Sequence, residues 1–318
     1  MLLRSLIIPI YKNEANIPFL LEALRELTRD IESMEVVFVV DGSPDDSWAL
    51  LRALLPEEPY PSRLVLLSRN FGSSSAIRTG IEFARGEHIA VMAADLQEPP
   101  QLVKTFFETL ESDEADIVAG QRVGRKDPLM SKMFSNLYWT LYRYFINQEI
   151  PPGGVDVFAC NKKVADVLAG IKEHHSYIAI LLFWVGFRRK FVPYERQERR
   201  QGKSAWTFRK KTHLFLDTVF SFSDFPILLL TSVGSLGILL SAVWGAAIFI
   251  MRLLNKVPVQ GYTTLLLVML LGFSSLLFTQ GIIGCYLWRC FENTKARPLA
   301  IVAGAEDWNG GEKTGEGE

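Results

Sequence analysis

Over its first 120 residues the chain alternates short apolar runs with amphipathic stretches. Residues 2–10 (LLRSLIIPI) read as a buried strand, closed by Pro9 and a polar turn, Tyr11-Lys12-Asn13-Glu14. Between residues 16 and 31, Ile17, Leu20, Leu21, Leu24, Leu27 and Ile31 recur at helical spacing. A second strand, 35–40, ends in Asp41-Gly42-Ser43-Pro44-Asp45-Asp46, and a helix is expected over 45–55. A third strand (63–68) and a helix (73–85) follow, and Gly86 turns the chain into the apolar run 89–94. That run stops at Asp95-Leu96-Gln97-Glu98-Pro99-Pro100, after which a helix (102–110) and a strand (116–120) are expected. Strands alternating with helices of these lengths predict an α/β fold with a mostly parallel sheet and helices on both faces.

In such a sheet, ligands sit at the carboxyl ends of the strands. Three expected strands end there in polar residues: Asn13 and Glu14, then Asp41, then Asp95 and Gln97. Taken alone, the Asp95 stretch reads equally as a ligand site and as a plain strand followed by an acidic turn. The three ends together have the geometry of a nucleotide site, with Asp95 where a metal-bound phosphate is expected. The chain has no GxGxxG fingerprint and no Walker A sequence, which argues against a dinucleotide dehydrogenase and a P-loop enzyme.

The pattern then changes. Residues 131–148 carry an aromatic-rich face bounded by Lys132 and Arg143. Residues 206–225 carry another, with Arg209, Lys210 and Lys211 near its start. Either could be a core helix, and the second also suits a helix lying in the membrane interface. Residues 227–251 and 264–288 are each long and apolar enough to cross a bilayer, which needs about 20 residues. Gly237, Ser241 and Gly245 form a small-residue ladder suited to close helix packing. Arg209, Lys210 and Lys211 precede the first span, Arg289, Lys295 and Arg297 follow the second, and Arg252 and Lys256 lie between. By the positive-inside rule both ends face the cytoplasm. The tail from Ala303, rich in Gly and Glu, reads as disordered.

Composition adds little to this. Lys+Arg 34 against Asp+Glu 35 gives a net charge of -1, so no global basic field points to nucleic acid. Cys160, Cys285 and Cys290 show neither metal spacing nor a framework of pairs, which suits a reducing compartment. The N-terminus runs straight into a strand-like segment, so no cleavable signal peptide is expected.

The segments IIPIYKNEANI, FVVDGSPDDS, LSRNFGSSSAIRTGIEFARG, AADLQEPP and GQRVGRKD, then GVDVF, WVGFRRKFVPYERQERRQGKSAW and SFSDFP, occur in order. As an ordered set they resemble inverting glycosyltransferases of the dolichol-phosphate mannosyltransferase type. The likeness is to the bacterial polyprenyl-phosphate glycosyltransferases with two C-terminal membrane spans. The resemblance implies a glycosyltransferase A type sheet over residues 1–204, an interfacial amphipathic helix over 205–226, and two transmembrane helices within 227–290. A cytoplasmic tail, largely disordered, would occupy 291–318. It also implies a nucleotide sugar donor, a polyprenyl phosphate acceptor, and Mg²⁺ or Mn²⁺ as cofactor. The protein would be integral to the bacterial inner membrane with its catalytic domain in the cytoplasm, a homo-oligomer being compatible with this.

Residue by residue, Pro9, Tyr11, Glu14 and Asp41 match the positions that hold the base and ribose. Asp95 matches the second carboxylate of the Asp-x-Asp metal motif and Gln97 the amide after it. Arg122 matches an arginine near the sugar and the acceptor phosphate, and Asp156 an acid close to the acceptor. Arg199, Gly202, Lys203 and Ser204 match the loop that closes over the diphosphate. The residues themselves suggest Arg122, Arg200 and Lys203 to offset phosphate charge, although the Arg-Arg-Gln-Gly-Lys run alone reads as a solvated loop. Arg122, Arg199 and Ser204 are the expected acceptor-phosphate contacts. Two positions depart from the family pattern: Val40 replaces the first Asp of Asp-Asp-Gly-Ser, and Ala93 replaces the first Asp of Asp-x-Asp.

The expected reaction is transfer of a hexose, glucose from UDP-glucose first, to a polyprenyl phosphate with inversion. Another sugar nucleotide (mannose, N-acetylglucosamine or an aminosugar) is the alternative within enzymes, and a non-catalytic membrane partner that kept the fold is the alternative outside them. A lipid-linked sugar flippase is disfavoured because two spans offer no sizeable polar path.

Overall fold

The computed structural model describes residues 4–123, 150–151, 155–173, 177–197, 225–254, 261–310 and 312–316. The chain divides into two units, Met1–Lys211 with Arg297–Glu318, and Thr212–Ala296. The first is built on one sheet. Its elements run β1 (Arg4–Ile10), α1 (Ile17–Asp30), β2 (Met34–Val40), α2 (Ser47–Leu54), β3 (Ser62–Leu67), α3 (Ser73–Phe83) and β4 (His88–Val91). Then come α4 (Gln101–Glu111), β5 (Ile117–Arg122), β6 (Phe158–Asn161), α5 (Lys162–Gly170), α6 (Ile178–Trp184) and β7 (Arg189–Tyr194). After the second unit, β8 (Val302–Asn309) and β9 (Glu312–Glu316) complete it.

The strand order is β7-β5-β6-β4-β1-β2-β3-β8-β9. The central strands β4, β1, β2 and β3 are parallel, as their continuous apolar runs predict. β2 is buried at all seven positions because both faces of the sheet are covered. Leu6, Ile8, Ile10, Val36, Phe38 and Val40 share one core with Leu20, Leu24, Leu51 and Phe106 of α1, α2 and α4. Helix α3 packs on β1 and β2 from the other side, so close that a Cβ at Gly80 would lie 2.3 Å from Ile7 Cγ2.

The expected α/β sheet with helices on both faces is present, and antiparallel strands join its parallel centre: β6 runs antiparallel between β4 and β5, and β8 runs antiparallel to β3. The structure corrects the sequence reading at two points. Strand β4 ends at Val91, paired with Phe158, and not at Ala94. Met92 N–H still bonds Ile7 O at 3.1 Å, but beyond it the chain breaks into the turn that carries Asp95.

The second correction is the tail, which is folded where disorder was expected. Residues 302–309 pair with β3 from Ser62↔Trp308 to Leu67↔Val302, and Trp308 enters the core. Arg63 meets Asp307 through two parallel bonds of 2.6 Å each, Arg85 reaches the same carboxylate at 2.7 Å, and Arg52 pairs with Glu306. Composition hid this strand because its stability comes from a partner edge and from arginines about 220–250 positions away in sequence.

The second unit contributes α7 (Phe225–Leu253) and α8 (Tyr262–Thr294). Helices of 29 and 33 residues would extend about 43 and 50 Å, longer than a bilayer core of about 30 Å. Among the described residues, Leu271–Thr294 meets the length and apolarity needed to cross a membrane. Its large apolar side chains lie open, Leu271 at 71% and Leu277 at 68% exposure. The expected interfacial helix, 205–226, falls outside the described residues up to Ser223 and Asp224, and its last two positions begin α7. The aromatic stretch 131–148 also lies outside the described residues.

The docked tail gives a direct test. Trp308→Ala should lower the stability of the sheet unit by about 3–5 kcal/mol, and Asp307→Ala by about 2 kcal/mol. Both are read from denaturant midpoints of the detergent-purified full chain. Midpoints equal to wild type would mean that the tail strand carries no stability.

Candidate active site

The site is assembled at one edge of the sheet. β4, β1 and β2 are neighbours and parallel, so the residues after them emerge side by side. β6 is antiparallel, so its amino end, with Asp156 just before it, lies at the same edge as the carboxyl ends of β4 and β5. The chain winds outward in both directions from β1, and the crevice between β1 and β4 is the switch point where such sheets bind ligands.

The two loops after β1 and β2 are stitched to each other. Lys12, at φ 56, donates its backbone N–H to Ser43 Oγ at 2.8 Å. Glu14 N–H donates to Asp45 Oδ2 at 3.1 Å, and Asp46 N–H returns a bond to Glu14 Oε2 at 3.2 Å. Asp45 also accepts the hydroxyls of Ser43 and Ser47 at 2.5 and 2.7 Å. Burial pushes its carboxyl up, but those hydroxyls and the Glu14 and Ser47 amides outweigh it and hold Asp45 below the usual carboxylate range. Pro9 is partly exposed at the end of β1, with Tyr11 and Glu14 in the loop beside it.

Asp41 is engaged within the protein itself. It is 3% exposed, and its two oxygens accept Phe71 N–H at 2.7 Å and Gly72 N–H at 2.8 Å. Burial nonetheless raises its pKa, because two amide bonds do not repay the lost water. The loop it pins crosses so near Gly42 that a Cβ there would lie 2.1 Å from the Arg69 carbonyl carbon. Gly42 also holds φ +52, which a side chain resists. Asp41 therefore fixes the β3–α3 loop, and Arg69 stacks over Phe71 at 4.0 Å on that loop.

Asp95 lies 7% exposed in a turn made sharp by Leu96 at φ 53. Gln97 N–H approaches its Oδ1 at 3.4 Å. Gln97 is clamped to the segment leaving β7: its carbonyl accepts Gln197 N–H at 2.8 Å and its Oε1 accepts Arg196 Nη2 at 2.6 Å. Arg122, the last residue of β5, pairs with Asp156 through Nη2. The register sets Arg122 beside Tyr194 of β7, and Val123 N–H bonds the Tyr194 carbonyl at 2.8 Å.

Of the expected site residues, the structure brings Pro9, Tyr11, Glu14 and Asp41 to one part of the edge and Asp95, Gln97, Arg122 and Asp156 to the adjoining part. Arg199, Arg200, Lys203 and Ser204 lie outside the described residues. Sequence reasoning missed Glu98, Tyr194 and Arg196. Glu98 looked like the acidic start of a Pro-Pro turn, yet it is 2% exposed. Burial first, and Asp95 second, raise its pKa against the pull of Arg196 and Arg122. The signal available was position: Tyr194 and Arg196 stand just after a strand-like run, where site residues gather.

Comparison with known proteins places this geometry. The profile of Glycosyl transferase family 2 matches residues 5–167. An uncharacterized glycosyltransferase of Synechocystis sp. is 32% identical over 305 residues, covering 94% of each chain. The prophage bactoprenol glucosyl transferase homolog of Escherichia coli is 28% identical over 301 residues, covering 94% of this chain and 97% of that one. Among solved structures, glucosyl-3-phosphoglycerate synthase from Mycobacterium tuberculosis superimposes with a TM-score of 0.50 at 14% identity, over 69% of this chain and 77% of its own. That likeness is one of fold.

Asp41→Ala tests the loop assignment. It leaves two half-buried amide donors without their carboxylate, so stability should fall by about 2 kcal/mol, and proteolytic nicking near residues 69–72 should rise. Loss of ligand binding with unchanged stability and cleavage would return Asp41 to a direct contact.

Proposed function

The chain belongs to glycosyl transferase family 2, and from that premise we propose that it transfers glucose from UDP-glucose to the phosphate of a polyprenyl phosphate. The transfer takes place at the cytoplasmic membrane face and inverts the anomeric centre. The observation that carries the reading is the length of the likeness. Relatives named bactoprenol glucosyl transferase align over 94% of this chain, so the match extends past the catalytic sheet into the apolar helices.

The site chemistry supports it. A lipid phosphate has a second pKa of about 6 and is largely dianionic at neutral pH. It needs no strong base; the protein must bring two anions together and stabilise the departing diphosphate. An acceptor oxygen attacks the anomeric carbon as the bond to the donor diphosphate breaks, and the nucleoside diphosphate leaves. In this reading Pro9, Tyr11 and Glu14 line the base and ribose, with Asp41 holding the neighbouring loop. Arg122 meets the acceptor phosphate, with Asp156 fixing its guanidinium. Arg200 and Lys203 serve the diphosphate, and Arg199 and Ser204 the acceptor.

Among the described residues, no group of three or more His, Cys, Asp or Glu side chains is arranged to hold a metal alone. A divalent ion commonly takes one or two carboxylates and fills its shell with substrate phosphates and waters. Asp95 fits that donor set, with Mg²⁺ or Mn²⁺ sharing the diphosphate. Bound there, the ion would neutralise charge on the leaving group. Ala93 favours one competing reading, a non-catalytic partner that kept the fold, and turnover sensitive to chelation separates the two.

Membranes incubated with labelled nucleotide sugars and undecaprenyl phosphate should form a lipid-linked hexose from UDP-glucose, of opposite anomeric configuration to the donor. Asp95→Asn should reduce that transfer about 100-fold or more, and exhaustive chelation should stop it. Preference for another nucleotide sugar would change the substrate but leave the reaction. No transfer from any sugar would favour the non-catalytic partner.

Topology is tested separately. With the native cysteines replaced, Gln260→Cys should react with an impermeant thiol reagent in intact cells, because the basic residues flanking the helices place both ends in the cytoplasm. Labelling of a cysteine in the sheet unit instead would reverse the orientation.

A further inference from the structure

Glu98 is buried beyond anything its surroundings repay. It is 2% exposed, its Oε1 stands 4.0 Å from Arg196 Nε, and among the described residues its Oε2 has no hydrogen-bond partner. A buried carboxylate oxygen left unpaired is costly, and such groups call for a reason. Arg122 shows the complementary deficit: its Nε is buried and has no hydrogen-bond partner among the described residues. Arg122 pairs with Asp156 and lies against the Tyr194 side chain, and Arg196 Nη2 donates to Gln97 Oε1. Glu98 stands within the electrostatic reach of both guanidiniums and of Asp95.

The order of strands along the edge says which substrate such a pair would meet. From β2 through β1 to β4, the loops lead from the expected base and ribose positions to Asp95 and the diphosphate. Arg122 and the segment carrying Arg196 lie farther on, at the ends of β5 and β7. That is the side away from the nucleotide, where an acceptor must approach.

We propose that Glu98 is a positioning residue, the buried anion that holds Arg122 and Arg196 as a facing pair so that their remaining N–H donors grip one phosphomonoester of the acceptor. The inference rests on the transferase reading above and adds to it a second arginine and the group that aims both. A guanidinium carries five donors in a fixed fork, so one edge can rest on Glu98 while another stays available to phosphate. The sharp turn at Leu96 supplies the placement, since it takes the chain from the Asp95 side chain to an inward-facing Glu98 within three residues. Arginines left without this anchor would lose their shared aim, and the acceptor would bind less tightly while the donor site stayed intact.

The test uses the full chain in detergent or membranes. Glu98→Gln keeps the shape and removes the charge. It should raise KM for undecaprenyl phosphate about 10-fold or more, with KM for the nucleotide sugar and nucleoside diphosphate binding unchanged within about 2-fold. Glu98→Asp should recover part of the loss. Because Glu98 acts through Arg196, the Glu98→Gln and Arg196→Gln effects should combine to less than their product. A wild-type enzyme that transfers to no polyprenyl phosphate would overturn the transferase reading itself. A wild type that transfers, with a Glu98→Gln variant whose acceptor KM is unchanged or whose two substrate constants rise together, would overturn the positioning role alone. If Glu98→Gln fails to fold, the same acceptor-against-donor comparison on Glu98→Asp decides.

Discussion

The two oxygens of Asp41 accept from the backbone of a loop 30 residues away, and the shape of the edge at β2 and β3 depends on that bond pair. The loops after β1, β2 and β3 are irregular, and several of their amide donors turn to side chains in place of a strand or helix partner. Carboxylates take that place. Asp41 binds the β3–α3 loop, while Asp45 gathers the Glu14 amide and the Ser43 and Ser47 hydroxyls. The consequence is a preorganised rim, fixed before substrate arrives, which is what electrostatic catalysis asks of a scaffold. Polar residues that look like ligand contacts in the sequence are thus partly the frame that holds the contacts in place.

A second constraint comes from chain order. The helical unit is inserted within the sheet unit in sequence, which resumes at Arg297 and ends in β8 and β9. The cross-links of Arg63, Arg85 and Arg52 to Asp307 and Glu306 tie the returning chain to β3 and its neighbourhood.

What the sequence revealed, and what it did not, follows from how each feature is encoded. Continuous apolar runs at β1 and β2, and the periodic faces of α1 and α4, are local and were legible. So were the acidic ends of three strands, because topology forces consecutive parallel strands to end at one edge. The end of β4 was not, since Ala94 is as apolar as Val91 and only the partner strand β6 decides where pairing stops. The tail strand was hidden for the same reason, its partners lying far away in sequence. Asp41 and Glu98 show the deeper difficulty. Both are carboxylates in loops at the site edge, and the partners each meets there come from segments distant in sequence.

The absence of a carboxylate at Ala93 also bears on charge. On the proposed reading the site must admit a donor diphosphate and a dianionic acceptor together. Asp95, Glu98 and Asp156 already supply negative charge here, against Arg122 and Arg196. A further carboxylate at position 93 would tighten the grip on a divalent ion but add repulsion toward both substrates. With alanine there, the ion depends on the diphosphate for its remaining ligands. Metal and donor would then be held together, Asp95 and the diphosphate sharing the ion, whose charge would offset that of the leaving group. Glu98 does not replace the missing ligand, because its neighbours are the two arginines as much as Asp95. In the proposed role it would set instead how much of their positive charge reaches the acceptor, balancing a weaker metal grip on one side with a directed cationic pair on the other.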